Sequence, residues 1–184
     1  MERRSKKKFE NLEEEYIIFS QDECSFNSES NKTYSWGLSG VASEYLGYTK
    51  GIKINCFGSL NLETGELITT THNRGNYEAT IEHLKRVREN YPEKKLLFLL
   101  DNATWHKKQE VKEFCEDNNI ELIFLPPYSP ELNPIERVWS FLKSKVKQFF
   151  FRKAEEFRKF VETLLEEINE VNIVKLKKLC TILI

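Results

Sequence analysis

The sequence predicts an α/β protein built on a mixed five-stranded sheet flanked by helices, and three observations carry that prediction. Two β-prone runs, 52–62 and 66–71, flank Glu63-Thr64-Gly65, a short glycine-containing connection that signals an antiparallel hairpin. Between 96 and 125 a strand-like, a helical and a second strand-like segment follow within about thirty residues, the pattern of a right-handed parallel crossover. The later helical segments carry bulky apolar stripes that must be buried against something.

Each element can be justified in order. Residues 16–22, Tyr-Ile-Ile-Phe-Ser-Gln-Asp, are a short apolar run ending in acid, read as the first strand with Asp22 at or just past its end. Residues 23–50 are polar and rich in Ser, Asn and Gly; Thr33-Tyr-Ser-Trp-Gly37 alone is strand-like, so a loop or small hairpin is expected. The hairpin of 52–71 then completes a three-stranded meander. Tyr77, Ile81, Leu84 and Val87 or Arg88 recur at helical spacing until Pro92 stops the helix. Leu96-Leu-Phe-Leu-Leu100 is apolar without interruption, as a strand covered on both faces should be, and it ends at Asp101.

A helix over 104–118, with Val111, Phe114 and Cys115 inward, leads into a strand at 120–125. After a proline-rich loop, Ile135, Val138, Trp139, Leu142, Val146 and Phe149 form one amphipathic stripe with Trp139 in the core. A final helix carries Phe157, Phe160, Val161, Leu164, Leu165 and Ile168 on one side, and the tail from 173 is apolar enough to dock. Three antiparallel strands followed by helix, strand, helix, strand, helix match a ribonuclease-H-like sheet. Residues 16–150 are expected to form the domain, with 1–15 a charged linker remnant and 151–184 a helical extension of the same domain.

Composition narrows the class. A chain of 184 residues, 40% apolar, supports one sizeable core and is too short for two ordinary domains. No stretch approaches a membrane span, and the charged start lacks the apolar centre of a signal peptide. The expectation is a protein without membrane association, cytoplasmic or nucleoid-associated. Cys24, Cys56, Cys115 and Cys180 are too scattered for a zinc site and are expected to be free, mostly buried thiols. The net charge is −1, but Arg137 to Phe160 holds eight basic side chains against two acidic ones. Arg137, Lys143, Lys145 and Lys147 are therefore candidate phosphate contacts, with a solvated lysine-rich helix face as the plainer alternative.

Three carboxylates stand out. Ligand sites in open α/β sheets lie beyond the carboxyl ends of the parallel strands, where Asp101 falls. Asp22 ends a strand that this topology makes its central neighbour, and Glu136 joins them if its helix starts over the same end of the sheet. Like charges brought so close raise each other's pKa unless a cation intervenes. Three hard oxygen donors suit magnesium, with manganese as substitute. Two such ions about 4 Å apart can activate an attacking oxygen and stabilise a leaving one in phosphodiester displacement. Each acid also has a structural reading: Glu136 as the far member of a capping box on Asn133, Asp101 as an Asx turn, Asp22 as a surface turn. His106, near a helix start, reads as a satisfied structural histidine or as a contact to substrate or metal-bound water. Trp36 and Trp105 have no assigned place.

The segments Gln-Asp22-Glu-Cys-Ser-Phe, Leu-Leu-Asp101-Asn-Ala-Thr-Trp-His and Pro-Pro-Tyr-Ser-Pro-Glu-Leu-Asn-Pro-Ile-Glu136-Arg-Val-Trp together resemble the three-acid catalytic domain of mariner-superfamily transposases, in their bacterial and archaeal insertion-sequence branch. Asp101 and Glu136 are separated by 34 residues, the spacing this branch shows. The resemblance covers 16–150. It implies divalent-metal-dependent hydrolysis at transposon ends and transfer of the freed 3′-hydroxyl into target DNA, with Asp22, Asp101 and Glu136 as catalytic metal ligands. Asn102, His106 and Asn133 match neighbouring motif positions and are candidate accessory residues. It also implies DNA as partner, a homodimer in the active complex, and a helix-turn-helix recognition region that is here encoded as a separate polypeptide, trimmed or lost. A nuclease or resolvase without strand transfer, and an inactive DNA-binding or dimerisation module, are the alternatives.

Overall fold

The computed structural model describes residues 16–28, 52–149, 151 and 153–180, with side chains of the last helix described to residue 168. The elements are β1 (Tyr16–Asn27), β2 (Lys53–Asn61), β3 (Leu67–His72), α1 (Tyr77–Asn90), β4 (Lys95–Leu100), α2 (Gln109–Asp117), β5 (Ile120–Phe124), α3 (Ile135–Val146) and α4 (Ala154–Cys180). Short 3-10 turns at Thr104–Lys107 and Pro130–Leu132 precede α2 and α3. The five strands form one sheet in the order β3-β2-β1-β4-β5, antiparallel from β1 outward through β2 and β3, parallel from β1 through β4 and β5. This is the mixed, ribonuclease-H-like arrangement that the order of segments predicts.

Alternation along β1 assigns its two faces. Cys24 and Phe26 pack with Trp139, Leu142, Phe157 and Val161 in a core layer beneath α3 and α4. Phe19 packs on the other side with Leu84, Val87, Phe98 and Val111 beneath α1 and α2. Because side chains alternate along a strand, Asp22 projects to the α3 side and Glu23 to the α1 side. Gly58, directly opposite Asp22 in the β1–β2 register, lets α3 come close. A β-carbon there would lie 2.5 Å from the Trp139 ring and 3.1 Å from Ile135.

Three expectations need correction. β1 does not end near Asp22 but runs on to Asn27, because Cys24 and Phe26 continue the buried alternation and pair with β2 as far as Asn27↔Lys53. Its parallel ladder with β4 nevertheless stops at Ser20↔Leu99, so Asp22 stands where that side of the sheet opens. The predicted helix over 104–118 is broken at Lys108, whose ψ is 147°. A continuous helix would stack exposed Thr104 and Lys107 above Val111 at the i−7 and i−4 positions; the break buries His106 instead. Phe149 lies past the end of α3 and is half-exposed, its ring against Phe160. The linker at 1–15, the 29–51 segment with Thr33–Gly37 and Trp36, and the side chains of the tail, Cys180 included, lie outside the described residues. Cys24, Cys56 and Cys115 are buried free thiols. Among the described residues no helix is long and apolar enough to cross a membrane.

Candidate active site

Asp22, Asp101 and Glu136 come from three separate elements and line one cleft of about 420 Å³, whose opposite wall is the loop from Leu125 to Pro130. Asp22 is contributed by central β1, Asp101 by the residue after β4, and Glu136 by the first turn of α3. The candidate accessory residues prove to be the ties between those elements. Asn133 accepts a hydrogen bond from the Ser20 hydroxyl and donates through Nδ2 to the Gln21 carbonyl at 3.2 Å. The Ser20 oxygen in turn accepts from the Ile135 N–H at 3.1 Å. A residue of β1 thus caps the start of α3, one position before Glu136.

The capping-box reading of Glu136 is therefore replaced. Pro134 occupies the cap position without a side-chain bond, and Asn133 is turned toward β1. The external cap from Ser20 leaves the Glu136 carboxylate to the cleft. The Asx turn expected at Asp101 is present, with Oδ1 accepting from the Ala103 N–H at 3.0 Å. Asn102 donates to the Leu125 carbonyl and accepts from Lys107 Nζ at 2.6 Å, fastening the proline loop to the end of β4. His106, 2% exposed, places Nε2 at 3.4 Å from Asp101 Oδ1 and 3.7 Å from Glu23 Oε1. One Asp101 oxygen is thereby held by both the Ala103 N–H and His106.

Electrostatics marks the cleft. Burial, with added repulsion from Glu136, Asp101 and Glu23, pushes the Asp22 carboxyl up to about 7. Burial pushes Glu23 up to about 7 as well, opposed by its bond from Trp105. Burial also drives His106 down to about 4, against the pull of Asp101. Burial disfavours the charged form of Asp22, which a divalent cation in the cleft would restore, and the cleft's donors are the hard oxygens that magnesium and manganese prefer. Among the described residues no three His, Cys, Asp or Glu side chains already converge on one point to hold an ion. The acids meet as walls of a shared cleft.

Two residues behind the site escape a sequence reading. Glu23 accepts from the Trp105 indole N–H at 2.8 Å, and a β-carbon at Gly75 would lie 2.5 Å from its Oε2. The signal was adjacency: two consecutive acids in a strand must face opposite sides, and one faces the helix layer. Ser20 carried no signal, because a single serine in a strand has many possible partners. The basic candidates divide. Lys143 and Lys147 are exposed and line a separate hollow of about 210 Å³ with Ser25, Phe26 and Asn27. They follow Glu136 at i+7 and i+11 on one helical stripe. Lys145 turns away, its ammonium 5.4 Å from the Phe141 ring centre, and Arg137 is half-buried.

Comparison with known proteins gives the family and the fold. Residues 17–158 match the family model described as DDE superfamily endonuclease. An insertion element IS630 protein of 39 kDa from Shigella sonnei is 27% identical over 134 residues, covering 72% of this chain and 39% of its own length. The Tc3 transposase of Caenorhabditis elegans is 31% identical over 78 residues, covering 42% of this chain and 24% of its own. The chain thus spans well under half of the length of these relatives. In fold it is similar to the Mos1 mariner paired-end complex with Mn, with a TM-score of 0.69 at 17% identity over 96% of this chain and 55% of that one. The chain belongs to the DDE superfamily endonucleases, on the side of that family that holds mariner-type and IS630-type transposases.

Proposed function

We propose that this chain is the catalytic domain of a DNA transposase, hydrolysing phosphodiester bonds at transposon ends and joining the freed 3′-hydroxyl to target DNA. The observation that carries the reading is the convergence of Asp22, Asp101 and Glu136, from three elements, on one cleft. Asp22, Asp101 and Glu136 would hold magnesium or manganese as a pair of ions, and family membership together with a manganese-containing structural neighbour supports that choice. Bound there, the cations would supply Lewis acidity at the attacking and leaving oxygens.

The chain's own residues supply placement. Ser20 and Asn133 hold the start of α3 against β1, so Glu136 and Asp22 face each other. Ala103 and His106 fix one Asp101 oxygen. Lys143 and Lys147, farther along the stripe that begins at Glu136, would follow the phosphates of the bound strand. A homodimer, with a helix-turn-helix region to recognise the element's ends, would present two ends at once.

The test is incubation of plasmid carrying the element's ends with magnesium or manganese. The reading expects nicking by wild type, none by Asp101→Asn, and covalent joining of a labelled 3′-hydroxyl end to a second plasmid. Equal nicking by both proteins would remove the assigned site. Asp101-dependent nicking without joining would instead identify a nuclease or resolvase.

A further inference from the structure

The loop that closes the cleft opposite the acids carries a feature that its own folding does not require. Tyr128 is 102% exposed, the most exposed large hydrophobic side chain among the described residues, and has a φ of +58°. That left-handed backbone is one that an aromatic residue rarely adopts and that glycine takes without penalty. The loop around it is not slack. Pro126, Pro127 and Pro130 fix their own backbone angles. Its entry is held by the Leu125 N–H on the Leu100 carbonyl at 2.8 Å and by Asn102, and its exit by Asn133 on β1. A strained residue in a firmly tied loop, its ring fully exposed, gains no packing from the described residues in return; such outliers cluster where a ligand is held.

We infer that Tyr128 is a stacking platform for one unpaired nucleobase of the DNA strand whose phosphate lies at Asp22, Asp101 and Glu136. The inference rests on the DNA reading proposed above. Tyr128 lines the same cleft as the three acids, so a strand positioned with a phosphate over the carboxylates passes its neighbouring base against the loop. The ring offers a planar apolar face with a polar edge, which matches a base and not an aliphatic ligand. Bases in intact duplex have both faces covered, so the occupant is a base that has left the stack, in a single-stranded or distorted segment beside the reacting bond. Aromatic stacking of this kind tolerates any base, and Tyr128 therefore contributes affinity for unpaired strand without choosing its sequence.

An abasic scan tests this. Binding of the full chain is measured by fluorescence anisotropy on a gapped oligonucleotide duplex in calcium, with a single base removed at each position in turn. Wild type and Tyr128→Phe should lose about tenfold in affinity at one position near the gap. Tyr128→Ala and Tyr128→Gly should bind the intact gapped strand about tenfold more weakly, lose nothing further at that position, and bind fully paired duplex as wild type does. Thermal melting should be unchanged or, for Tyr128→Gly, raised, which separates lost stacking from lost folding. An identical scan for wild type and Tyr128→Ala, or no preference of wild type for gapped over paired DNA, would overturn the inference. The scan requires no cleavage, so failure of the nicking test would remove the transposase reading while this result still reports on Tyr128.

Discussion

At the residue scale, the three acids depend on neighbours that touch no ligand themselves. His106 and the Ala103 N–H hold one Asp101 oxygen, and ordering partners of this kind typically govern tenfold to hundredfold in metal affinity. His106→Ala is therefore expected to weaken manganese binding by about that factor, read by calorimetry, while circular dichroism stays native. Ser20 accepts from Ile135 and donates to Asn133, so Ser20→Ala removes the external cap of α3 and leaves buried partners unpaired. A loss of about 1 to 2 kcal/mol in denaturant unfolding is expected. That the three acids would meet at one end of the sheet was legible in the sequence, because each sits in a motif tied to a predicted strand end or helix start. Ser20 was not, since its importance arises from two contacts across more than a hundred residues of chain.

At the element scale, the site depends on how closely α3 lies on the sheet. Gly58 opposite Asp22 makes room for Trp139, and a methyl group there would meet the indole at 2.5 Å. Gly58→Ala should force α3 outward, cost about 1 to 3 kcal/mol of stability, and weaken manganese binding by moving Glu136 away from Asp22. Chemical denaturation and calorimetry on the same sample check both effects. The parallel half of the sheet and the α3 stripe could be read from periodicity alone, since uninterrupted apolar runs and i, i+3, i+4 spacing are strong signals. The extension of β1 carried the period-two signal as well, since Glu-Cys-Ser-Phe-Asn at 23–27 alternates polar and apolar residues; the polar Ser-Gln-Asp run before it masked that alternation, which pairing with β2 makes structural. The break at Lys108 was hidden for a tertiary reason, because burial of His106 beside Asp101 accompanies it.

At the scale of the whole molecule, charge in the cleft sets a balance between stability and function. Asp22 is raised from 3.8 to about 7 and Glu23 from 4.5 to about 7, chiefly by burial. Acids raised in the folded state keep protons that the unfolded chain has released, so their contribution to stability falls as pH rises from about 4 to about 7 and is constant above. His106, lowered from 6.5 to about 4, and His83, lowered to about 3, act in the opposite sense and add stability as pH rises toward 6.5. Asp22→Asn should therefore melt above wild type at pH 7 and higher, with the difference vanishing below about pH 4. The same substitution should abolish function, as expected where a site is strained for its task. The central claim, that three acids from three elements form one divalent-cation site, is tested most directly by manganese titration calorimetry at pH 8 on wild type, Asp22→Asn, Asp101→Asn and Glu136→Gln. Wild type should give a binding isotherm that each single substitution weakens by at least tenfold. Equal manganese binding by wild type and all three variants would contradict it.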